Sequence, residues 1–197
     1  KGNPKIIVAT SSAPEDRDIE LFCQNQSVDC YRGSLNNVVA RTIHACDHFG
    51  VNYFARICGD RPFFCPEITY RGLRQFKQTA VDIVTSQIDN SLPKGLTTEI
   101  MSVSVLKDIM SRTTSLFHME HLTSYLYQNL SLFKVEKLKL SNSFHSKTNF
   151  TIDTHQDFLR AEYIDKKIKN RNDTNITIND IIALGEKFDQ INRDTQQ

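Results

Sequence analysis

The sequence has almost no net charge. Across 197 residues, 24 Lys and Arg face 23 Asp and Glu, a formal balance of +1. No basic field suggests a nucleic-acid partner, and no acidic block suggests a solvating tail. Missing too is any apolar run near the roughly 18 residues needed to span a bilayer, so no membrane segment is expected. The chain does not open on a positive segment followed by an apolar stretch, the pattern of a secretory leader. It contains no Walker loop, no Gly-x-Ser-x-Gly elbow and no Gly-x-Gly-x-x-Gly, which weakens ATPase, hydrolase and dinucleotide-binding readings. Cysteine is sparse and odd in number: Cys23, Cys30, Cys46, Cys58 and Cys65. Their spacing makes a poor disulfide framework, and most sit in apolar runs, so they read as small buried thiols of a cytoplasmic protein. In that setting the sequons at Asn25, Asn129, Asn149, Asn172 and Asn175 read as the product of an Asn-rich composition.

What remains is an ordinary globular composition, with 39% hydrophobic and 24% charged residues. One domain over residues 1–197 is expected, with 166–197 as a helical tail. Lys5–Thr10 is short and β-branched and reads as a buried strand. Ser12-Ala-Pro-Glu15 has the form of a capping box for a helix over 14–24. A second strand is expected over Val28–Tyr31. A helix over 36–49 follows, capped by Ser34 and stopped by Gly50. Val51–Ile57 reads as the next strand. This β-α-β-α-β alternation argues for an α/β fold with a mixed, mostly parallel sheet and helices on both faces.

Farther on, helices are expected over 65–75, 105–113, 119–129, 154–167 and 178–188. Strands are expected over 80–86, 97–103, 132–138 and 149–152. Lys166–Asn175 reads as an exposed linker. Thr154 and Asp157 have capping-box spacing.

In an open parallel sheet, ligands bind beyond the carboxyl ends of the strands. Thr10-Ser11-Ser12, Gly59-Asp60 and Asp153 stand at such ends. Asp60 and Asp153 could converge on one divalent cation, since magnesium takes one or two protein carboxylates and fills its shell with phosphate and water oxygens. They could equally be loop or capping aspartates. Arg32 and Arg56 flank strand ends and read either as phosphate clamps or as structural ion-pair partners. His118 and His121 lie at i and i+3, but no Cys or His spacing supplies further zinc ligands. Glu120-His121 could orient a substrate or pack as a satisfied polar pair.

Six segments in order resemble the cytidylyltransferases of the spore-coat polysaccharide biosynthesis type, which are related to the CMP-sialic acid and CMP-Kdo synthetases. They are IVATSSAPEDRDIELFC (Ile7–Cys23), YRGSLNNVVART (Tyr31–Thr42), ARICGDRPFFCPE (Ala55–Glu67), LPKGLTTEIMS (Leu92–Ser102), MEHLTSYLY (Met119–Tyr127) and FTIDTHQDF (Phe150–Phe158). The closing FDQINRDTQQ is similar to the family's tail.

The resemblance implies a nucleotide-diphosphosugar-transferase-like, Rossmann-like fold. It also implies transfer of CMP from CTP to an acidic or surface-polysaccharide sugar, with release of pyrophosphate. By position it makes Asp60 and Asp153 ligands of Mg2+ or Mn2+. Thr10, Ser11, Arg32 and Asn36 fall on the nucleotide side. Arg56, Lys94, Glu99 and His121 fall on the sugar side, with Asp60, Arg56 and Lys94 as the catalytic groups. CTP and a sugar are the expected partners, and a homodimer through Met119–Tyr127 is left open.

Three departures stand out. The family's opening strand and Ala-Arg-x-Gly-Ser-x-Arg-x-Pro-Gly-Lys loop, which grip the triphosphate, precede the point where Lys1-Gly-Asn-Pro begins. Asn37 stands where the family has Asp. His155-Gln156 replaces Pro-Glu, and Arg61 replaces Cys. Two other readings stand beside this one: a catalytically inactive nucleotide- or sugar-binding module, which the missing phosphate loop favours, and a related glycosyltransferase. The glycosyltransferase reading would need an Asp-x-Asp that Asp60-Arg61-Pro62 does not provide.

Overall fold

A computed structural model describes residues 4–170 and 176–194. Asn172, Asn175 and residues 171–175 of the expected linker lie outside them. In chain order the elements are β1 (Ile7–Ser11), α1 (Arg17–Asn25), β2 (Asp29–Gly33), α2 (Val38–His48), β3 (Tyr53–Arg56), α3 (Pro66–Gln78), β4 (Ile83–Thr85), β5 (Glu99–Ser102), α4 (Val103–Arg112), α5 (Leu116–Glu120), α6 (Ser124–Gln128), β6 (Val135–Lys137), α7 (His155–Lys169) and α8 (Ile178–Asp194). The fold is mixed α/β with a partly parallel sheet arrangement. β1 and β2 form a parallel pair, and β3-β5-β4-β6 form a four-stranded sheet. The chain divides into two compact units, residues 1–54 with 101–134 and residues 55–100 with 135–197.

In the first unit, β1 and β2 pair from Ile7 opposite Asp29 to Ser11 opposite Gly33. A 3-10 turn over Pro14–Asp16 leads into α1. The expected Ser12 capping box does not form. Ala13 is the N-cap residue and has no side-chain acceptor to offer, and the Ser12 N–H donates to the Gly33 carbonyl at 2.7 Å. α2 buries Val39, Ile43 and Cys46 along one face. Its cap is Asn37 rather than Ser34: the Asn37 side chain accepts the Ala40 N–H at 2.8 Å. The helix ends in a Schellman turn. Val51 N–H bonds the Cys46 carbonyl at 2.8 Å across Gly50, whose φ of +66° suits glycine. α2 packs on β1, β2, α4 and α5. The helix expected over 119–129 is broken into α5 and α6. His121 has non-helical angles there, and its carbonyl accepts the Ser124 N–H. Leu122 and Leu126 are buried at the break.

In the second unit, β4 and β6 pair in parallel, Ile83 opposite Val135. A core of Ile68, Val84, Leu96, Leu138, Phe150, Ile164, Ile181 and Ile182 joins α3, α7 and α8 to the strands. Each such aliphatic side chain contributes about 1.5–3 kcal/mol of transfer free energy. Residues 149–152, expected as a strand, form no ladder. Their N–H groups go to loops instead: Phe150 to the Lys94 carbonyl (2.8 Å), Thr151 to Asn149 Oδ1 (3.0 Å) and Ile152 to the Asp60 carbonyl (2.9 Å). α7 opens on the expected capping box between Thr154 and Asp157.

All five cysteines are free. Burial pushes the Cys46 thiol up to about 11, and burial together with the neighbouring Cys23 does the same for Cys30. Thiols held this high carry little thiolate and react slowly. No described helix is long and apolar enough to cross a membrane.

Candidate functional site

The residues singled out from the sequence fall into two groups, one in each unit. In the first unit, Thr10 and Ser11 close β1 and are buried. The Thr10 hydroxyl donates to Asp16 Oδ2 at 2.8 Å and the Ser11 N–H at 2.9 Å. Hydrogen bonds from Ser11 and Thr10 hold the Asp16 carboxyl down at about 2.

Arg32, at the end of β2, has its whole fork engaged. Nε donates to the Ser11 carbonyl (3.0 Å), one terminal nitrogen to the Ala13 carbonyl (2.7 Å) and the other to Glu20 (3.1 Å). Of the two readings open for Arg32, this geometry is that of a structural partner shaping the loop after β1. Asn36 is exposed beside the Asn37 cap. His121 is exposed at the end of α5, its ring edge-on to Phe117. His118 bonds the Ser124 hydroxyl at 2.8 Å. Leu116 and Phe117, beside the segment considered for dimerisation, are exposed at 80% and 52%.

In the second unit, Arg56 at the end of β3 donates to Glu99 on β5 at 3.0 Å. Glu99 is completely buried, so it reaches a ligand only through the guanidinium it holds. Asp60 follows on the loop after β3. Its Oδ1 is buried with no hydrogen-bond partner, a costly state for a carboxylate oxygen. Its carbonyl receives the Ile152 N–H, so the Asp60 loop is tied to the residue before Asp153.

Asp153 Oδ2 accepts the Thr151 hydroxyl at 2.7 Å and Lys94 Nζ at 3.3 Å. These two donors, Thr151 first, set the Asp153 carboxyl below its ordinary range. Lys94 stands on a turn that Gly95 permits. Gly95 has φ +91°, and an added Cβ would press on the backbone of Phe150 and Thr151. The same loop borders an open cavity of about 490 Å³ lined by Asn90, Lys94, His145, Lys147 and Glu186 among others.

Among the described residues no three His, Cys, Asp or Glu side chains converge as a metal cage. Two carboxylates, one with an orphaned oxygen, fit a hard divalent cation that completes its shell with phosphate and water.

Sequence reasoning missed the residues that set Asp153 in place: Asn149, Thr151 and Arg160. The signal for Thr151 was its position two residues before Asp153. Arg160 gave only its i, i+3 spacing to Asp157 on the same helix, because its other acceptors, Asn149 and Asp189, lie far along the chain.

The cytidylyltransferase family model matches residues 2–192. An uncharacterized protein of Methanocaldococcus jannaschii is 29% identical over 187 residues, covering 94% of this chain and 74% of that protein. Spore coat polysaccharide biosynthesis protein SpsF of Bacillus subtilis is 27% identical, with 93% and 75% covered. A solved cytidylyltransferase from Leptospira borgpetersenii superposes with a TM-score of 0.83 at 22% identity, covering 94% of this chain and 77% of that one, and so shares the fold. The matched span, the ordered segments and the shared fold agree: the chain belongs to the cytidylyltransferase family, a family of nucleotidyl-transfer proteins.

Proposed function

We propose that the protein transfers CMP from CTP to a sugar hydroxyl and releases pyrophosphate, with magnesium or manganese held by Asp60 and Asp153. The observation that carries this reading is the buried, unpartnered Oδ1 of Asp60 on a loop bonded to the residue before Asp153. The name of the SpsF relative, a spore coat polysaccharide biosynthesis protein, supports a surface-polysaccharide sugar as acceptor.

When bound, the cation would polarise the α-phosphate and offset its charge. The chain's own groups do the positioning. Lys94, beside Asp153, offers an ammonium to the departing pyrophosphate. Arg56, fixed by buried Glu99, presents a guanidinium whose direction is set before the ligand arrives. The resemblance assigns Thr10, Ser11 and Asn36 to the nucleotide, and Arg32 keeps the loop after β1 in shape. His121 lies on the sugar side. The reaction belongs in the cytoplasm, where CTP is made.

The test is pyrophosphate release from CTP and magnesium across a panel of acidic and neutral sugars, alongside calorimetry with CTP. Turnover with one sugar class is expected. Absence of CTP binding sinks the proposal, and CTP binding without turnover on any sugar replaces it with a nucleotide-binding module.

A further inference from the structure

Arg160, on α7, is 11% exposed and ties its own helix to two other segments. Its Nε donates to Asp189 Oδ1 on α8 at 2.8 Å. A terminal nitrogen donates to the Asn149 carbonyl at 2.9 Å and to Asp157 Oδ1 at 2.7 Å. Two of these contacts lead to Asp153. The other oxygen of Asp157 accepts the backbone N–H of Asp153 (3.3 Å) and of Thr154 (2.9 Å). Asn149, whose carbonyl Arg160 holds, turns its side-chain oxygen to the Thr151 N–H, and the Thr151 hydroxyl stands between that oxygen (2.8 Å) and the Asp153 carboxylate (2.7 Å), with its one proton shared between the two acceptors. One guanidinium thus braces Asp153 from both sides, through its own backbone and through the hydroxyl that orients its side chain.

We propose that Arg160 is a positioning residue that sets the Asp153 carboxylate for the divalent cation, an inference that rests on the metal role proposed for Asp153. A planar fork can hold an aspartate and a carbonyl at fixed angles; an ammonium cannot. Groups that orient a metal ligand without touching the metal typically change affinity 10- to 100-fold when lost.

The experiment titrates Mn2+·CTP with the protein and follows water-proton relaxation, alongside the Mg2+ dependence of turnover and thermal unfolding. Arg160→Lys is expected to weaken Mn2+·CTP binding by about tenfold and to raise the Mg2+ concentration for half-maximal turnover in parallel. Asp157→Asn, which keeps the shape of the helix cap, is expected to shift both the same way and serves if Arg160→Lys does not fold. Ile164→Val, a cavity substitution on the same helix, lowers the unfolding temperature without moving metal affinity. If Arg160→Lys and Asp157→Asn bind Mn2+·CTP as tightly as Ile164→Val, the inference is wrong. Asp153→Asn separates the two claims. If it binds Mn2+·CTP like the wild type, the metal reading itself falls and the inference with it. If it loses binding while Arg160→Lys does not, only the role of Arg160 falls.

Discussion

The backbone N–H of Ile152 donates to the carbonyl oxygen of Asp60 at 2.9 Å. That bond joins the loop after β3 to the approach of α7, so each candidate carboxylate stands on a segment anchored by the other. The bond uses backbone atoms only, which leaves the Asp60 side chain free to change without disturbing the join. Asp60→Asn therefore tests the chemistry apart from the fold. Turnover of CTP is expected to drop on the order of 10²-fold, the usual cost of losing one group that stabilises developing charge. The unfolding temperature is expected not to fall, because Asp60 Oδ1 makes no hydrogen bond that the substitution could break. A thermal melt beside a pyrophosphate assay reads both.

Gly95→Ala disturbs the same region through the backbone. The φ of +91° is strained for alanine, and the new methyl would lie 2.6 Å from the Thr151 nitrogen, which cannot swing away. A loss of about 2–3 kcal/mol is expected, or about 4–12 °C in unfolding temperature at this size. Retained wild-type stability would mean that the 93–95 turn and residues 149–151 separate at little cost.

Asp16 gives a pH signature. Its folded pKa of about 2 lies below the ordinary 3.8, so ionised Asp16 stabilises the fold at neutral pH. That contribution is complete above about pH 4 and disappears as pH falls through about 2. Denaturation midpoints of wild type and Asp16→Asn are expected to differ by a constant amount at neutral pH and to converge in this acid window. A gap that persists unchanged to pH 2 contradicts the assignment.

The α2 cap is open to a simple comparison. Asn37→Ala is expected to cost about 1 kcal/mol, whereas Asn37→Asp is expected to be nearly neutral, because both side chains accept the Ala40 N–H equally well. Chemical denaturation resolves the pair. Equal losses in both variants would move the cap back to Ser34.

Where a run of residues had one period and one partner, the sequence was readable. The apolar face of α2, the short β-branched β1 and the Thr154–Asp157 box that opens α7 all follow from local spacing. Legibility failed where several local acceptors competed. Ser34 and Asn37 both had cap chemistry, and only the direction of the backbone chose Asn37. Residues 149–152 had strand composition, but Lys94, Asn149 and Asp60 supplied their acceptors in place of a neighbouring strand. The candidate site divides the same way. Asp60 was visible as a strand-end aspartate; Asp153 was found by the same reading although the strand expected before it does not form, and the resemblance supplied the role the two would share. The bracing of Asp153 by Arg160 was not visible, since it needs Asn149, Asp157 and Asp189 brought together in space.

Asp189, near the end of α8, also accepts the Thr148 hydroxyl at 2.8 Å while holding Arg160. The last helix thus closes a network whose first member, Asp60, lies in the opening third of the chain. A growing polypeptide leaves the ribosome from its amino end, so Asp153 is braced from both helices only once α8 has emerged. Nascent chains stopped short of Asp189 would carry both aspartates but lack the acceptor that α8 offers to Arg160.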